Sequence, residues 1–295
     1  MLQSQLPPTS FINSTDMIVT HAELAATLEH AEAQHLFQQV TALQQLSGNT
    51  AVRTQEIANG IAAFTLPEFG RKLNHVTGIA MGAPVSAAAL AQLEAGYAEL
   101  GLPVEIDVCP HADASILPLL AARGYHVNAF SNSYVLPLSE ADTAVTDYPD
   151  IEILSGSQLA DEVFIEHCIA GFAVQATARP VSLLRALAQI AVLRADTQLF
   201  AARIDGQIAG TAGLSLLPTP GGAVAYLSIT STVPAWRQRG VQTALLQARL
   251  TAARQAGCAL ASVSVRPANV SARNAERAGF RLAYTKATFS RLGVA

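Results

Sequence analysis

From Ile151 onward the sequence alternates short apolar strand-like runs with helical stretches, and that alternation confines the second half to a mixed α/β sheet. Ile151 to Leu154 reads as a strand. Ser157 is placed to cap a helix running through Val163, Phe164 and Ile165 to about Ala170. Pro180 suits the first turn of a second helix, which carries Leu183, Leu184, Leu187 and Ile190 at helical spacing. The runs from Leu199 to Ile204 and from Gln207 to Leu216 are joined by Asp205-Gly206, a pair that tolerates positive φ and predicts a tight hairpin. The turn Pro218-Thr219-Pro220-Gly221-Gly222 leads into a strand from Ala223 to Thr232. A long helix is predicted from Gly240 to Ala256, with Val241, Leu245, Ala248 and Ala252 along one face and Gly257 as its stop. Ala259 to Val265 is a strand, and Asn269 or Ser271 starts a short helix ending at Ala278-Gly279. Phe280 to Tyr284 is a strand, and Ala287 to Leu292 another.

The first half repeats this order more faintly. Helical sequence covers His21 to Leu46, and a hairpin is expected at Asn59-Gly60. A strand lies near Val76 to Ala80, and Pro84 opens a helix reaching Leu100. Val104 to Cys109 is a strand, and Ile116 to Ala122 a helix ending in Arg123-Gly124-Tyr125. That ending parallels Arg277-Ala278-Gly279-Phe280, and both follow a strand by one helix, which points to a structural duplication. Between the halves, Pro137 to Asp150 is polar, acidic and bounded by prolines, as an exposed domain boundary tends to be. The expected division is therefore 1–138, a linker 139–150, and 151–295.

The chain has 295 residues, 51% hydrophobic and 14% charged, enough for two domains with buried cores. No run of about 18 apolar residues suggests a membrane span, and the first twenty residues lack the pattern of a secretory signal. Cys109, Cys168 and Cys258 are odd in number and scattered, with neither metal-ligand spacing nor a disulfide framework, so a cytoplasmic protein without a metal is expected. The net charge of −4 and the absence of a Lys/Arg block argue against nucleic acid as a partner.

The informative chemistry lies between Leu227 and Leu246. A strand ending at Thr232-Val233-Pro234 passes through Arg237-Gln238-Arg239-Gly240-Val241-Gln242-Thr243 directly into a helix. The first turn of a helix carries unpaired N–H groups with partial positive charge, where an anion can settle. Gly240 allows close backbone approach, and Arg237 and Arg239 add mobile positive charge. These features describe a seat for a diphosphate.

In that context the segment resembles the phosphate loop of the GNAT family of acetyl-CoA-dependent N-acetyltransferases. The family pattern is Arg or Gln, two residues, Gly, one residue, then Gly or Ala; here Arg237, Gln238-Arg239, Gly240 and Val241 fit, and Gln242 departs from it. Pro234, Thr243-Ala244-Leu245-Leu246 and the Arg277-to-Phe280 junction add to the likeness, which spans roughly Ile151 to Leu292. It implies an α/β fold of mixed sheet type with two tandem GNAT-like acyl-CoA N-acyltransferase domains. The first half reads Met81-Gly82-Ala83-Pro84-Val85-Ser86 where its phosphate loop belongs, without the arginine-to-glycine spacing, and is expected to be a degenerate copy.

By resemblance, the N–H groups of Gln238, Arg239, Gly240, Val241, Gln242 and Thr243 hold the coenzyme A diphosphate. The strand end at Ser231, Thr232 and Val233 splays from its neighbour, and its free backbone groups pair with the pantetheine arm of acetyl-CoA and polarise the acetyl carbonyl. Asn274, or Asn269, touches the same arm. The Gln242 side chain must either turn away from the phosphates or bond to them. A primary amine on a small molecule, peptide or protein is the implied acceptor. Many family members place a tyrosine four residues before the helix-closing glycine to protonate the leaving thiolate; that position is Ala275 here. Tyr284, Ser264 or water are the substitutes considered. Glu166 and His167 lie on the helix that borders the acceptor pocket in the family, and Glu166 is the candidate for a base. A module that holds coenzyme A without transferring an acyl group is the alternative reading. Monomer and homodimer are both open.

His167-Cys168 does not make a nucleophilic pair, because neighbours on a helix point about 100° apart. His111 and Asp113 are two ligands, too few for a metal site. A dinucleotide-binding domain lacks support, since no Gly-x-Gly-x-x-Gly follows a strand.

Overall fold

The computed structural model describes residues 20–138, 148–173 and 179–291, so nearly all of the expected linker lies outside the described residues. The first half runs α1 (Ala22–Ser47), β1 (Arg53–Ile57), β2 (Gly60–Phe64), β3 (Val76–Thr77), α2 (Ala87–Glu99), β4 (Val104–Val108), α3 (Ile116–Ala122) and β5 (His126–Pro137). The second runs β6 (Glu152–Ser155), α4 (Asp161–Ala173), α5 (Val181–Leu193), β7 (Thr197–Ile204), β8 (Gln207–Leu217), β9 (Val224–Thr232), α6 (Val241–Gln255), β10 (Leu260–Val265), α7 (Val270–Arg277) and β11 (Arg281–Arg291).

All eleven strands join one sheet, in the order β1-β2-β3-β4-β11-β5-β10-β9-β8-β7-β6. The order is nearly symmetric about the β11–β5 pair. On each side an antiparallel partner comes first, β4 or β10, then a parallel neighbour, β3 or β9, then an antiparallel hairpin. The duplication read from the sequence is thus a structural one.

Its halves are interlocked. β5, from the first half, lies between β10 and β11 of the second, and β11 lies between β4 and β5 of the first. Each half therefore lends its last strand to the other. The division near residue 138 separates the halves in chain order but not in space.

Helices cover both faces. Neighbouring residues on a strand point to opposite faces, and β9 shows which helix lies where. Ala225 and Leu227 pack with Val241, Leu245 and Leu250 of α6 and with Ala272 and Ala275 of α7. Val224 packs with Ala31 of α1 on the other face. There α1 also meets α5 through Leu36, Val40, Leu183, Leu187 and Ile190, and α4 joins α5 through Phe164, Ile165, Cys168 and Ala188.

Several local expectations shift by a few residues. Helix α2 starts after its cap Ser86, whose side chain accepts from the Ala89 N–H, and Pro84 stays in the preceding loop. Helix α4 starts at Asp161, because Gly156 to Gln158 first form a separate 3-10 turn. The first hairpin turns on Ala58 and Asn59, both at positive φ, rather than on Asn59-Gly60. Gly60 is already in the strand, where a Cβ would lie 2.5 Å from the Ile79 nitrogen.

The two short strands expected after Phe280 are one, β11, with a register shift between Leu282 and Tyr284. Its buried face is polar: Tyr284, Lys286, Thr288 and Ser290 are all buried. Lys286 is fully buried and pairs with Glu29 at 3.1 Å and Glu32 at 2.8 Å, both from α1. Burial alone would lower its pKa, but Glu29, Glu32 and Asp107 outweigh that and hold it above the usual lysine range. Replacing Lys286 with Met leaves two carboxylates facing each other in the interior. The expected cost is about 3–5 kcal/mol, read from urea unfolding, and Glu29→Gln in the same chain should restore part of it. A Lys286→Met variant as stable as the parent would contradict this account of the interior.

Candidate active site

The turn between β9 and α6 begins with a 3-10 turn from Pro234 to Trp236. Gln238 then takes φ +64° and Gly240 φ +83°, two left-handed residues that reverse the chain into the helix. Gly240 is the N-cap of α6 and has no side chain to cap it. The N–H groups of Val241, Gln242 and Thr243, in the first helical turn, have no carbonyl one turn earlier to bond. The positive end of α6 lies at this turn. Arg239 is exposed and lies over the Trp236 ring, 4.8 Å from its centroid. Arg237, Gln238 and Thr243 are also exposed, whereas Val241 belongs to the core.

Gly240 is required for a second reason. A Cβ there would lie 2.7 Å from the Tyr148 ring, which packs against the turn. An Asp substituted at this position therefore meets Tyr148 as well as any anion, and its effect on binding would be mixed with a local rearrangement.

Gln242, where the family pattern has a small residue, turns back to the strand. Its Nε2 donates to Thr232 Oγ1 at 2.9 Å. The side chain thus ties the helix start to the end of β9.

β9 and β10 pair only at Val224, Ala225 and Tyr226, opposite Leu260, Ala261 and Ser262, and then part. Beyond that rung β9 carries a bulge. Its register against β8 passes from Gly213↔Ser228 to Thr211↔Ser231, so Ile229 and Thr230 oppose the single residue Ala212. Ile229 sits at φ +46°. Gly213 makes room for it, since a Cβ there would lie 2.8 Å from Ile229 Cγ2. Arg249 of α6 braces the bulge from beneath, donating to the Leu245 carbonyl (3.1 Å), the Gly213 carbonyl (3.4 Å) and Thr230 Oγ1 (2.8 Å). Burial pushes this arginine down to about 9.

The strand end offers less than expected. The Val233 N–H donates to the Ala209 carbonyl at 2.9 Å, so it is committed to β8. Ser231 is buried, its hydroxyl 3.1 Å from that of Thr211 and packed under Gly171 of α4. By the alternation of a strand, Thr232 is the residue of the three whose N–H and C=O face the gap.

Asn274 is half-buried on α7, and Asn269 caps that helix by accepting from the Ala272 N–H. Ala275 is in the core beside it.

Tyr284 is not at this turn. It is buried on the opposite face, where its hydroxyl donates to Glu29 Oε1 at 2.8 Å, and burial raises its pKa well above the phenol range. Its proton is committed to that carboxylate. Glu166 is exposed on the outer side of α4, and His167 Nδ1 bonds the Val163 carbonyl of its own helix. Cys168 is buried, with its thiol pushed up to about 12 by burial. Among the described residues no cluster of three or more His, Cys, Asp or Glu is arranged for a metal ion. No helix among them is long and apolar enough to cross a membrane.

A groove of 560 Å³ runs along the flank of α6, between Tyr148, Ile153, Phe200 and Gln247, and has no charged side chain in its wall. Such a wall offers a diphosphate no counter-charge.

What the sequence left unseen is the other side of the gap. Ser264 of β10 donates to Glu32 Oε2 at 2.7 Å. The two residues are 232 apart in the chain. The signal available was an acidic pair, Glu29 and Glu32, set among the apolar positions Leu28 and Leu36 of one helix.

Residues 165–280 match the model of the acetyltransferase (GNAT) family. No curated protein matches the chain in sequence. Among solved structures it is similar to a GCN5-related N-acetyltransferase from Kribbella flavida, at 16% identity and a TM-score of 0.60, covering 91% of this chain and 96% of that one. It is also similar to a tandem GNAT protein from the clavulanic acid biosynthesis pathway, at 15% identity and a TM-score of 0.58, covering 92% and 96%. A conserved protein of unknown function from Staphylococcus epidermidis shares the fold at 11% identity and a TM-score of 0.56, covering 84% and 97%.

Proposed function

We propose, from the match of residues 165–280 to the GNAT acetyltransferase family model, that the second half transfers an acetyl group from acetyl-CoA to a primary amine. The observation that carries the reading is the turn from Arg237 to Thr243, with two left-handed residues and an uncapped helix start, beside strands that part.

The residues present fit the cofactor. Gln238, Arg239, Gly240, Val241, Gln242 and Thr243 offer main-chain donors to the diphosphate, and Arg239 adds charge above Trp236. Thr232, facing the gap, pairs with the pantetheine arm, and Asn274 approaches the same arm from α7. Bound acetyl-CoA supplies an activated thioester. The bulge at Ile229 and Thr230, held by Arg249, fixes the backbone donors at the point where charge develops on the acyl oxygen. The amine enters from the α1, α4 and α5 face. The corresponding loop of the first half also has left-handed residues, Gly78, Ala80 and Gly82, but it carries no arginine and its helix start is capped by the Ser86 side chain. The first half shapes the acceptor side instead. Three free, buried cysteines suit a reducing compartment such as the cytoplasm.

A coenzyme A-binding module without transferase activity is the second reading. It is favoured by Ala275 in the place of a tyrosine and by the commitment of the Tyr284 hydroxyl to Glu29. Thiolate leaves tolerably well unprotonated, since a free thiol has a pKa of about 8.5. Thiol release from acetyl-CoA with a panel of primary amines separates the two. Amine-dependent release is the expected result. Tight acetyl-CoA binding with no release for any amine would favour the module.

A further inference from the structure

We infer that the first half completes the acceptor site of the second: Glu32 of α1 is the group that binds the acceptor as its protonated amine. The inference rests on the reading of the turn given above.

The placement follows from the sheet. Helix α6 and its turn lie on one face, and α1 on the other. A thioester held at the α6 side must be met through the gap between β9 and β10 by an acceptor from the α1 side. The last rung joining these strands is Tyr226↔Ser262. Ser264 stands two residues further, about 7 Å along β10, level with Ser228 and next to the bulge. The Ser264 hydroxyl holds Glu32 Oε2 there at 2.7 Å, and Lys286 holds the same oxygen at 2.8 Å.

Glu32 is also the reachable member of its cluster. Its side chain is 14% exposed, against 1% for Glu29 and 0% for Lys286. The two glutamates share one lysine, and burial raises the pKa of Glu29. Lys72, the next cation to feel Glu32, makes no ion pair with it and is pushed down to about 8 by desolvation and by Arg179 and Arg71.

A second observation points to a polar ligand group. Three buried oxygens on this face, Glu29 Oε2, Ser133 Oγ and Ser262 Oγ, have no hydrogen-bond partner. Ser133 lies opposite Ser264 on β5, and Ser262 is two residues before it, so their side chains share its face. An ammonium brings three N–H donors and no acceptor, the complement of an array of unpaired oxygens beside a carboxylate.

The test uses the full chain and n-butylammonium chloride as probe, with 1-butanol as the uncharged control of the same shape. Two-dimensional amide NMR should show saturable shifts near Glu32, Ser264 and Lys286 with the ammonium and none with the alcohol. Glu32→Gln keeps an acceptor for Ser264 and leaves Glu29 paired with Lys286, so it should keep a folded spectrum. It should weaken the ammonium response about tenfold or more, a difference of roughly 1.4 kcal/mol. No response in the parent, or an equal one in Glu32→Gln, overturns the assignment. Acetyl-CoA affinity, measured by calorimetry on the same samples, reports on the turn alone and should be equal in both proteins, so the two readings fail separately.

Discussion

Thr243→Glu should lower the affinity for acetyl-CoA at least about a hundredfold while making the protein slightly more stable. Thr243 is exposed in the first turn of α6, and its own N–H is one of the unpaired donors. A carboxylate roughly 5 Å from one charge of the diphosphate costs about 3 kcal/mol at an effective dielectric of roughly 20, which is more than a hundredfold in binding. The same charge favours the helix, because an acidic group near a helix N-terminus contributes about 0.3–1 kcal/mol. Binding and stability therefore move in opposite directions, and no general disruption produces that pattern. Calorimetry with acetyl-CoA and thermal unfolding of the free protein read the two effects. Unchanged affinity would place the diphosphate elsewhere. This substitution is cleaner than any at Gly240, where a side chain collides with Tyr148 first.

The second half alone, residues 148–295, should fail to form a stable monomer, although its sequence contains the whole region matched by the family model. In the intact chain β5 fills the space between β10 and β11, pairing with both along most of its length. Removing the first half removes that strand and opens a space of about two strand spacings, near 10 Å, inside the sheet. It also removes α1 with Glu29 and Glu32, so Lys286 loses both of its carboxylate partners. Both edges so exposed invite pairing with other chains. The fragment is expected to elute as a strand-exchanged dimer or as aggregate. Co-expression with residues 1–138 should return a one-to-one complex with the far-UV spectrum of the full chain. A monomeric fragment that unfolds cooperatively near the temperature of the whole protein would show that the exchange contributes little.

The turn was legible because its chemistry is local. A proline, an arginine pair, a glycine and a helix start lie within ten residues, and each constrains the backbone without reference to the rest of the fold. The hairpin at Asp205-Gly206 was legible for the same reason, with both residues at positive φ. The strand exchange was not. Nothing in β5 says that its partners, β10 and β11, lie more than a hundred residues on. β11 was read as two fragments because its buried positions are Tyr284, Lys286, Thr288 and Ser290, so the alternation that marks a strand is carried by polar residues. Glu32 was invisible as a site residue because its partners come from β10 and β11. The gap residues were read only in part: the strand alternation that separates Thr232 from Ser231 and Val233 depends on the bulge, which one sequence does not reveal.

The central claim is that one turn, Arg237 to Thr243, holds the diphosphate of acetyl-CoA, and that the first half holds none. Calorimetric titration of the full chain with acetyl-CoA, beside S-acetylpantetheine, which lacks the diphosphate, measures this directly. The expected result is one saturable site per chain for acetyl-CoA and a far weaker response to the truncated thioester. Two sites, no site, or equal affinity for both compounds would contradict it.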